Sequence, residues 1–536
     1  MTDPSPTLQD RIHYPGGAWE HSHPDRIAAN ARMYGLKPAP VESCRVLELG
    51  CGAGGNLVPM ACGLPDARFV GIELAAGAVE LGRSLAASLG LSNVELHQRD
   101  ILDVPADLGE FDYVIAHGVY SWVPEPVRDA LMSIYARHLA PEGIAYLNFN
   151  ALPGGHLRNL SRDLMRFRLS VFDDPEAHGE DAMRFVRLVA GAQPHASPYR
   201  RILEEDLERI EHNPVSVLFH DDLVPAHRAF HFREVVEHAS RHGLQYLCEA
   251  RPADVHPGRY PGAIPAALRR FGGGRIAREQ CFDFLVCQMY RCSLFCRSGI
   301  ALAPIGDLDV LRGLRVATPV RPARAPADLT DGVVATFLAP DGASLRLDDS
   351  AAKAALAIVA ERWPASVEIE WLLRDARKRA GRVGRPTRLE RREFGEFLAT
   401  NHAMGFVDLH TWEPPIATVI GNRPVASALS RIEIERGARV TSLRHRQVEI
   451  DDPVAAALLE RLDGSRDLAA LHEYVTRTYP GESITPDHTE AALSGLAYHC
   501  LLEDRTVGAG NRGNVRIRTR VRNDSRRATT PGIRKR

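Results

Sequence analysis

The chain has 536 residues, 45% of them hydrophobic and 25% charged, with a formal net charge of −2. This length predicts about three domains, and the near-neutral charge excludes binding to nucleic acid or membranes through bulk charge. The polar N-terminus and the lack of a long apolar run predict a soluble protein with no membrane insertion. The nine cysteines are odd in number and show no framework spacing, which favours a cytoplasmic location.

Residues 1–156 are predicted to form an N-terminal helix and an α/β core, whose alternating pattern occupies residues 45–151. Short apolar runs alternate there with helical stretches such as EPVRDALMSIYARHLA (125–140). This alternation predicts a parallel sheet with helices on both faces. The apolar runs are RVLELGC (45–51), RFVGIEL (68–74), VELHQRD (94–100), FDYVIAHG (111–118) and GIAYLNFN (143–150).

The alternation stops after residue 156 and returns later. Residues 157–229 are mostly helical in pattern and predict an insertion. FREVVEHASRHGLQYLCEA (232–250) then combines a helix, a stop at Gly243 and a strand, and RCSLFCR (291–297) is a further strand. We therefore expect residues 230–300 to complete the sheet.

Two small, mainly helical domains of winged-helix type are predicted at 331–420 and 421–508. LRLDDSAAKAALAIVAERW (345–363) resembles VEIDDPVAAALLERL (448–462). Each has a short strand, an Asp-Asp helix start and an Ala/Leu-rich helix, although so short an echo can also arise from the common pattern of helix starts.

Two stretches are predicted to lie outside these domains. Residues 301–330 are rich in Pro, Ala and Arg, which predicts a linker. Residues 509–536 are basic and contain few apolar side chains, which predicts a disordered tail.

A glycine-rich turn follows the first predicted strand, in VLELGCGAGGN (46–56). Gly50, Gly52 and Gly54 allow the backbone to approach a ligand and to adopt positive φ. The stretch also satisfies G-x-G-x-x-G through Gly50, Gly52 and Gly55, so a dinucleotide site remains an alternative on the glycine pattern alone.

Acidic residues lie at three successive strand ends and favour a different ligand. Glu48 is on the first strand, where a carboxylate suits an ammonium group better than a pyrophosphate. Glu73 ends the second strand, where an acid can accept from both ribose hydroxyls. Asp100 ends the third strand, next to Ile101, which would pack on an adenine ring. A nucleoside with an amino-acid arm fits this set, and S-adenosylmethionine is such a molecule.

Residues 45–151 resemble the class I S-adenosylmethionine-dependent methyltransferases. Nearly the whole chain is similar to the subset with a methyltransferase regulatory domain, which includes the rickettsial protein-lysine methyltransferases that modify outer-membrane proteins. The resemblance is carried by HSHPDRIAANARMYGL (21–36), RVLELGCGAGGNLVPMA (45–61), GEFDYVIAHGVYSWVP (109–124), LFHDDL (218–223), GLQYLCEA (243–250), RPVASALSR (423–431) and VTSLRHRQVEIDD (440–452).

The resemblance implies a Rossmann-like α/β sheet with 157–229 as the regulatory region, and methyl transfer from S-adenosylmethionine to protein lysine by in-line displacement. A small-molecule acceptor and a cofactor-binding regulator without turnover remain as alternatives. We expect a protein substrate and no nucleic acid, because the candidate recognition helix RDLAALHEYV (466–475) is near neutral. A homodimer remains open.

The loop AHGVYSWVP (116–124) follows the fourth predicted strand, which usually lies next to the first in this fold. Ligands bind at the carboxyl ends of such strands, so His117, Tyr120 and Trp122 are the candidate catalytic residues. The aromatic rings would face the sulfonium and a lysine, unless they only pack the turn, and His117 could take a proton through water. The candidate cofactor-binding residues are Glu48, Gly50, Gly52, Gly54, Glu73, Asp100, Ile101 and His117.

Two further groups of residues suggest metal ligands at first sight. Four histidines share one helical face, but no third ligand is evident near either H-x-x-x-H pair, so we expect a solvated face. Four cysteines have spacings of no common zinc pattern, so we expect small buried side chains. No metal is therefore predicted. The residues are His227, His231, His238 and His242, and Cys281, Cys287, Cys292 and Cys296.

Overall fold

The structure is a computed structural model, and the chain in it divides into two compact units. The first unit comprises Met1–Gly16, His21–Leu311 and Gly395–Gly405, and the second comprises Gly17–Glu20, Arg312–Phe394 and Phe406–Arg536. The residues that the structure describes are 12, 14, 16–212, 215–224, 226–303, 310–481 and 483–505. The predicted basic tail, 509–536, lies outside them.

A seven-stranded sheet forms the centre of the first unit, in the order β3-β2-β1-β4-β5-β7-β6. Strands β1 to β5 are parallel, and β7 runs antiparallel to both β5 and β6. The segment predicted to complete the sheet, 230–300, contributes β6 and β7. The strands are β1 (Arg45–Leu49), β2 (Arg68–Glu73), β3 (Val94–Gln98), β4 (Phe111–Ala116), β5 (Leu139–Asn150), β6 (Leu244–Glu249) and β7 (Tyr290–Arg297).

The central strands are apolar along their whole length because helices cover both faces of the sheet. Val46, Leu47, Val114 and Ile115 are fully buried, and Phe232 comes from a helix that packs on the sheet. The helices of this unit are α1 (Pro24–Arg32), α2 (Leu57–Gly63), α3 (Ala76–Ser88), α4 (Glu125–His138), α5 (Gly155–Leu169), α6 (Gly179–Gly191), α7 (Pro198–Glu211), α8 (Val215–Asp221), α9 (Phe232–Arg241), α10 (Ala263–Phe271) and α11 (Arg275–Val286).

The helices α5 to α8 form the predicted insertion between β5 and β6. Met165, Val186, Leu203, Leu207 and Leu218 form an apolar core of their own there. Because each of these helices buries one apolar face against the others, the insertion has its own core.

The elements after residue 311 differ in one respect from the predicted organisation. The predicted linker, 301–330, contains β8 and β9, and β8 pairs with β12 and β13. The strands are β8 (Arg315–Ala317), β9 (Arg321–Pro322), β10 (Ala335–Leu338), β11 (Ser344–Leu347), β12 (Val367–Glu368), β13 (Asp408–His410), β14 (Arg439–Thr441) and β15 (Gln447–Glu449). The helices are α12 (Ser350–Arg362), α13 (Ile369–Arg379), α14 (Arg388–Ala403), α15 (Ala428–Arg436), α16 (Pro453–Arg461), α17 (Leu468–Thr478) and α18 (Pro486–Tyr498).

Both Asp-Asp helix starts are present in the second unit. The Asp349 carboxylate accepts from the Ala352 backbone N–H at 2.7 Å, and Asp452 accepts from Val454 at 2.9 Å. Each aspartate therefore satisfies a backbone donor that the first helical turn leaves open. Among the described helices of the whole chain, none is both long and apolar enough to cross a membrane.

Candidate active site at the carboxyl ends of the central strands

The glycine-rich turn after β1 adopts a backbone that other residues rarely take. Gly50, Gly52 and Gly54 have φ of 70°, 54° and 70°. A Cβ on Gly50 would lie 2.6 Å from a methyl carbon of Val119, so the turn and the loop after β4 approach closely. A Cβ on Gly52 would meet no atom within 4 Å, so the turn faces open space at this point.

Glu48 lies buried beneath this turn and has an unused hydrogen-bond acceptor. Its Oε1 accepts from the Asn56 side-chain amide at 2.8 Å, whereas its buried Oε2 has no hydrogen-bond partner. Burial raises the pKa of Glu48 to about 8. A cationic group bound beside Glu48 would stabilise its ionised form, because the positive charge would compensate the hydration that burial removes.

Glu73 ends β2 and joins the second strand to the glycine turn. Its two carboxylate oxygens accept from the backbone N–H groups of Gly52 and Ala75, each at 2.9 Å. A carboxylate oxygen has two lone-pair sites, so each oxygen can accept a further bond from a ligand hydroxyl.

Asp100 and Ile101 follow β3, the next strand of the sheet. The Asp100 side chain accepts from the Leu102 N–H at 2.9 Å and so begins the short helical turn Ile101–Asp103. Ile101 is half-buried against the core. The candidate cofactor residues of β1, β2 and β3 thus lie at the carboxyl ends of three neighbouring strands. Open space at Gly52 and the unused oxygen of Glu48 fit S-adenosylmethionine.

His117 follows β4 and belongs to a polar cluster with residues of β5. Its Nδ1 lies 3.1 Å from the Tyr146 hydroxyl and 3.0 Å from the Asn148 side-chain nitrogen. The His21 ring centroid is 5.8 Å from that of His117. Burial and His21 hold the pKa of His117 well below its usual value, so the imidazole is neutral at pH 7. This makes His117 a weaker base than the sequence suggested.

Asn148 links the loop after β4 to β7. Its side-chain oxygen accepts from the Gly118 N–H at 2.7 Å, and its amide nitrogen donates to the hydroxyl of Tyr290. Tyr146, Asn148 and Tyr290 were not among the residues predicted from the sequence. The alternating Tyr-x-Asn-x-Asn of β5 was an available signal, because residues two apart on a strand share one face.

The two aromatic residues of the loop separate in the structure. Trp122 is half-buried, with its ring 4.6 Å from that of His227. The His227 Nε2 lies 2.8 Å from the Asn150 side-chain nitrogen, which connects Trp122 to the end of β5.

Tyr120, in contrast, is buried in the core and not grouped with His117. Its hydroxyl lies 2.8 Å from His238 Nδ1, and its ring centroid is 4.9 Å from that of Phe230. Tyr120 therefore packs the turn against the core, as the alternative prediction stated. We no longer place it among the candidate catalytic residues.

The comparisons with known proteins agree with this geometry. Residues 46–143 match the family model for a methyltransferase domain. The chain therefore carries a methyltransferase domain. Residues 214–297 match a predicted methyltransferase regulatory domain, and 422–498 match the C-terminal winged helix domain of PKMT. The regulatory match contains β6 and β7, so it covers the end of the sheet rather than most of the predicted regulatory region, 157–229.

Proteins from Rickettsia are among those similar to this chain. The Rickettsia prowazekii protein RP789 is 31% identical over 55% of this chain and 53% of its own length, so this chain spans about half of that relative. RP028 of the same organism is 28% identical over 44% of this chain and 96% of its own. The structure of PKMT2 from Rickettsia typhi, also solved in complex with AdoHcy, shares the fold with a TM-score of 0.78 at 23% identity, over 91% of this chain and 99% of that one.

Proposed function

We propose that this protein transfers methyl groups from S-adenosylmethionine to lysine side chains of a protein substrate. The observation that carries the proposal is the uncharged polar cluster of His117, Tyr146 and Asn148 at the carboxyl ends of β4 and β5. The resemblance to protein-lysine methyltransferases and the PKMT winged-helix match support the choice of acceptor.

The chemistry of a lysine acceptor explains why an uncharged cluster is suitable. Only the neutral amine can attack a methyl group, and deprotonating a free lysine at pH 7 costs roughly 4–5 kcal/mol. A partly buried site without a fixed anion favours the neutral amine. Burial lowers the pKa of His21 to about 3 and that of His117 well below its usual value, so neither imidazole carries charge. We assign His117 and Asn148 the role of orienting the amine.

The cofactor residues have a separate role in the proposal. Glu48 would hold the ammonium group, Glu73 the ribose hydroxyls and Asp100 with Ile101 the adenine, while Gly52 leaves room for the ligand. When bound, S-adenosylmethionine supplies an electrophilic methyl group on a sulfonium. Trp122 would form the apolar wall of the acceptor path, beside His227.

Release of S-adenosylhomocysteine by the full-length protein tests the proposal. We expect release with the macromolecular fraction of a cell extract, abolished by protease and unaffected by nuclease, and mass spectrometry should find methylated lysine. The Glu73→Ala variant should release little at the same cofactor concentration.

The other outcomes identify the alternatives. Release with the small-molecule fraction alone indicates a small-molecule methyltransferase. Loss of release after nuclease treatment indicates a nucleic-acid acceptor. Cofactor binding without release in any fraction indicates a regulator without turnover.

A further inference from the structure

His238 of α9 and His242, which directly follows that helix, both lie close to Asp129 of α4. His238 Nε2 lies 3.3 Å and His242 Nε2 lies 3.0 Å from Asp129 Oδ1. From the sequence these histidines were predicted to lie on a solvated face, because no third ligand was evident. Asp129 supplies that ligand from another helix, 109 residues before His238.

The spacing of these three atoms suits a tetrahedral metal ion. Ligand atoms about 2.0–2.1 Å from Zn²⁺ at tetrahedral angles lie about 3.3 Å apart. The ligand atoms of Asp129, His238 and His242 all lie within 4.8 Å of one another. Among the described residues, no other group of three or more His, Cys, Asp or Glu side chains brings its ligand atoms this close together. None of the four cysteines considered as metal ligands in the sequence belongs to it.

Tyr120 orients one of the imidazoles toward this group. Its hydroxyl lies 2.8 Å from His238 Nδ1, which leaves the Nε2 directed at Asp129. Histidines that ligate metals usually hold their second nitrogen in such a hydrogen bond, because it fixes the ring and its tautomer. The Tyr120 hydroxyl therefore positions the metal ligand His238 and does not contact the groups that react in methyl transfer.

The burial and charge of the surroundings narrow the kind of ion. The side chains of His238 and His242 are 10% and 19% exposed, whereas Asp129 is 63% exposed and leaves one side open to water. Two imidazole nitrogens and one carboxylate oxygen favour Zn²⁺ over Mg²⁺ or Ca²⁺, because the latter two ions prefer oxygen ligands alone.

We propose that Asp129, His238 and His242 form a Zn²⁺ site, with water as the fourth ligand, that ties α4 to α9 behind the active-site loop. None of these ligands belongs to the candidate active site, and their contact with the loop after β4 is made through Tyr120. A bound ion would replace the two contacts of the histidines with Asp129 by three coordination bonds and so hold the loop residue Tyr120 in place.

Calorimetric titration of the chelator-treated full-length protein with Zn²⁺ tests the site. We expect one ion per chain, with affinity at least tenfold weaker in His242→Ala and in Asp129→Asn, and unchanged in His195→Ala, an exposed histidine outside the group. Tyr120→Phe should weaken binding about tenfold or more, because it removes the bond that orients His238.

Co²⁺ gives a second measurement that does not depend on activity. The wild type should show the visible spectrum of a four-coordinate nitrogen and oxygen site without thiolate charge-transfer bands, and His242→Ala should lose it. Thiolate bands, equal stoichiometry in His242→Ala, or no Zn²⁺ uptake by the folded wild type would each overturn the proposal. Circular dichroism and melting curves establish that every variant is folded.

Discussion

The Tyr146 hydroxyl lies 3.1 Å from Nδ1 of His117, and the two rings are near parallel with centroids 5.9 Å apart. Burial keeps the pKa of Tyr146 well above its usual value, so the phenol retains its proton and can donate to the imidazole. His117 is therefore held by β5, the strand that follows it in the chain and in the sheet.

The Tyr146→Phe substitution removes this hydrogen bond and keeps the ring. We expect kcat to fall about tenfold, the scale of one neutral hydrogen bond, with cofactor affinity nearly unchanged. Tyr113→Phe is the matched control, since Tyr113 is a buried tyrosine whose hydroxyl donates to the Ala39 carbonyl at 3.0 Å. Equal losses of kcat in both variants, measured by S-adenosylhomocysteine release, would show that the effect is only structural.

The pH dependence of turnover tests the protonation state of His117. Its lowered pKa means that it loses its proton below the neutral range, so it does not titrate between about pH 6 and 9. We expect His117→Ala to lower kcat while leaving the shape of the pH–rate profile in this window unchanged. An alkaline shift of the profile in the variant would instead identify His117 as the proton acceptor.

Features of the fold and the site that depend on local residue patterns could be predicted from the sequence. Apolar runs and helix starts predicted all seven strands of the sheet, and the acids at strand ends made Glu48, Glu73 and Asp100 the candidate cofactor-binding residues. It could not give the partners of Asn148, because Tyr290 reaches it only through the pairing of β5 with β7. Asp129 was missed for the same reason, since its contact with His238 depends on how two distant helices pack.

Tyr120 and Trp122 lie on one loop and are expected to respond differently to truncation. Tyr120→Ala removes a core side chain and should destabilise the protein by about 3–5 kcal/mol, which denaturant unfolding will measure. Trp122→Ala should change stability less and lower turnover more, because the half-buried ring lies beside His227. If Trp122→Ala keeps full turnover with the protein substrate, the ring is not part of the acceptor path.

Glu73→Ala should weaken S-adenosylmethionine binding by about 1.5–3 kcal/mol, the scale of hydrogen bonds to a charged group. The Glu73 carboxylate also accepts a hydrogen bond from the Gly52 N–H, so part of the lost affinity comes from a less ordered glycine turn. Glu95→Ala on the neighbouring β3 is the control, because that side chain is 70% exposed. Calorimetry is the measurement, and equal affinity in the wild type and Glu73→Ala would remove Glu73 from the cofactor site.

Glu48→Gln should separate stability from cofactor binding. Burial raises the folded-state pKa of Glu48 to about 8, above its value in the unfolded chain, so the folded state binds this proton more tightly. Stability must then fall as pH rises from about 4.3 toward 8, by an amount on the order of a few kcal/mol, because the unfolded chain ionises first.

Glutamine cannot ionise, so the variant without cofactor should gain stability relative to the wild type as pH rises across this window. The same change should weaken S-adenosylmethionine binding, since the ammonium loses its carboxylate. Urea unfolding at about pH 5, 6.5 and 8 measures the first effect, and a stability difference that does not grow with pH would show that Glu48 is ionised in the folded protein.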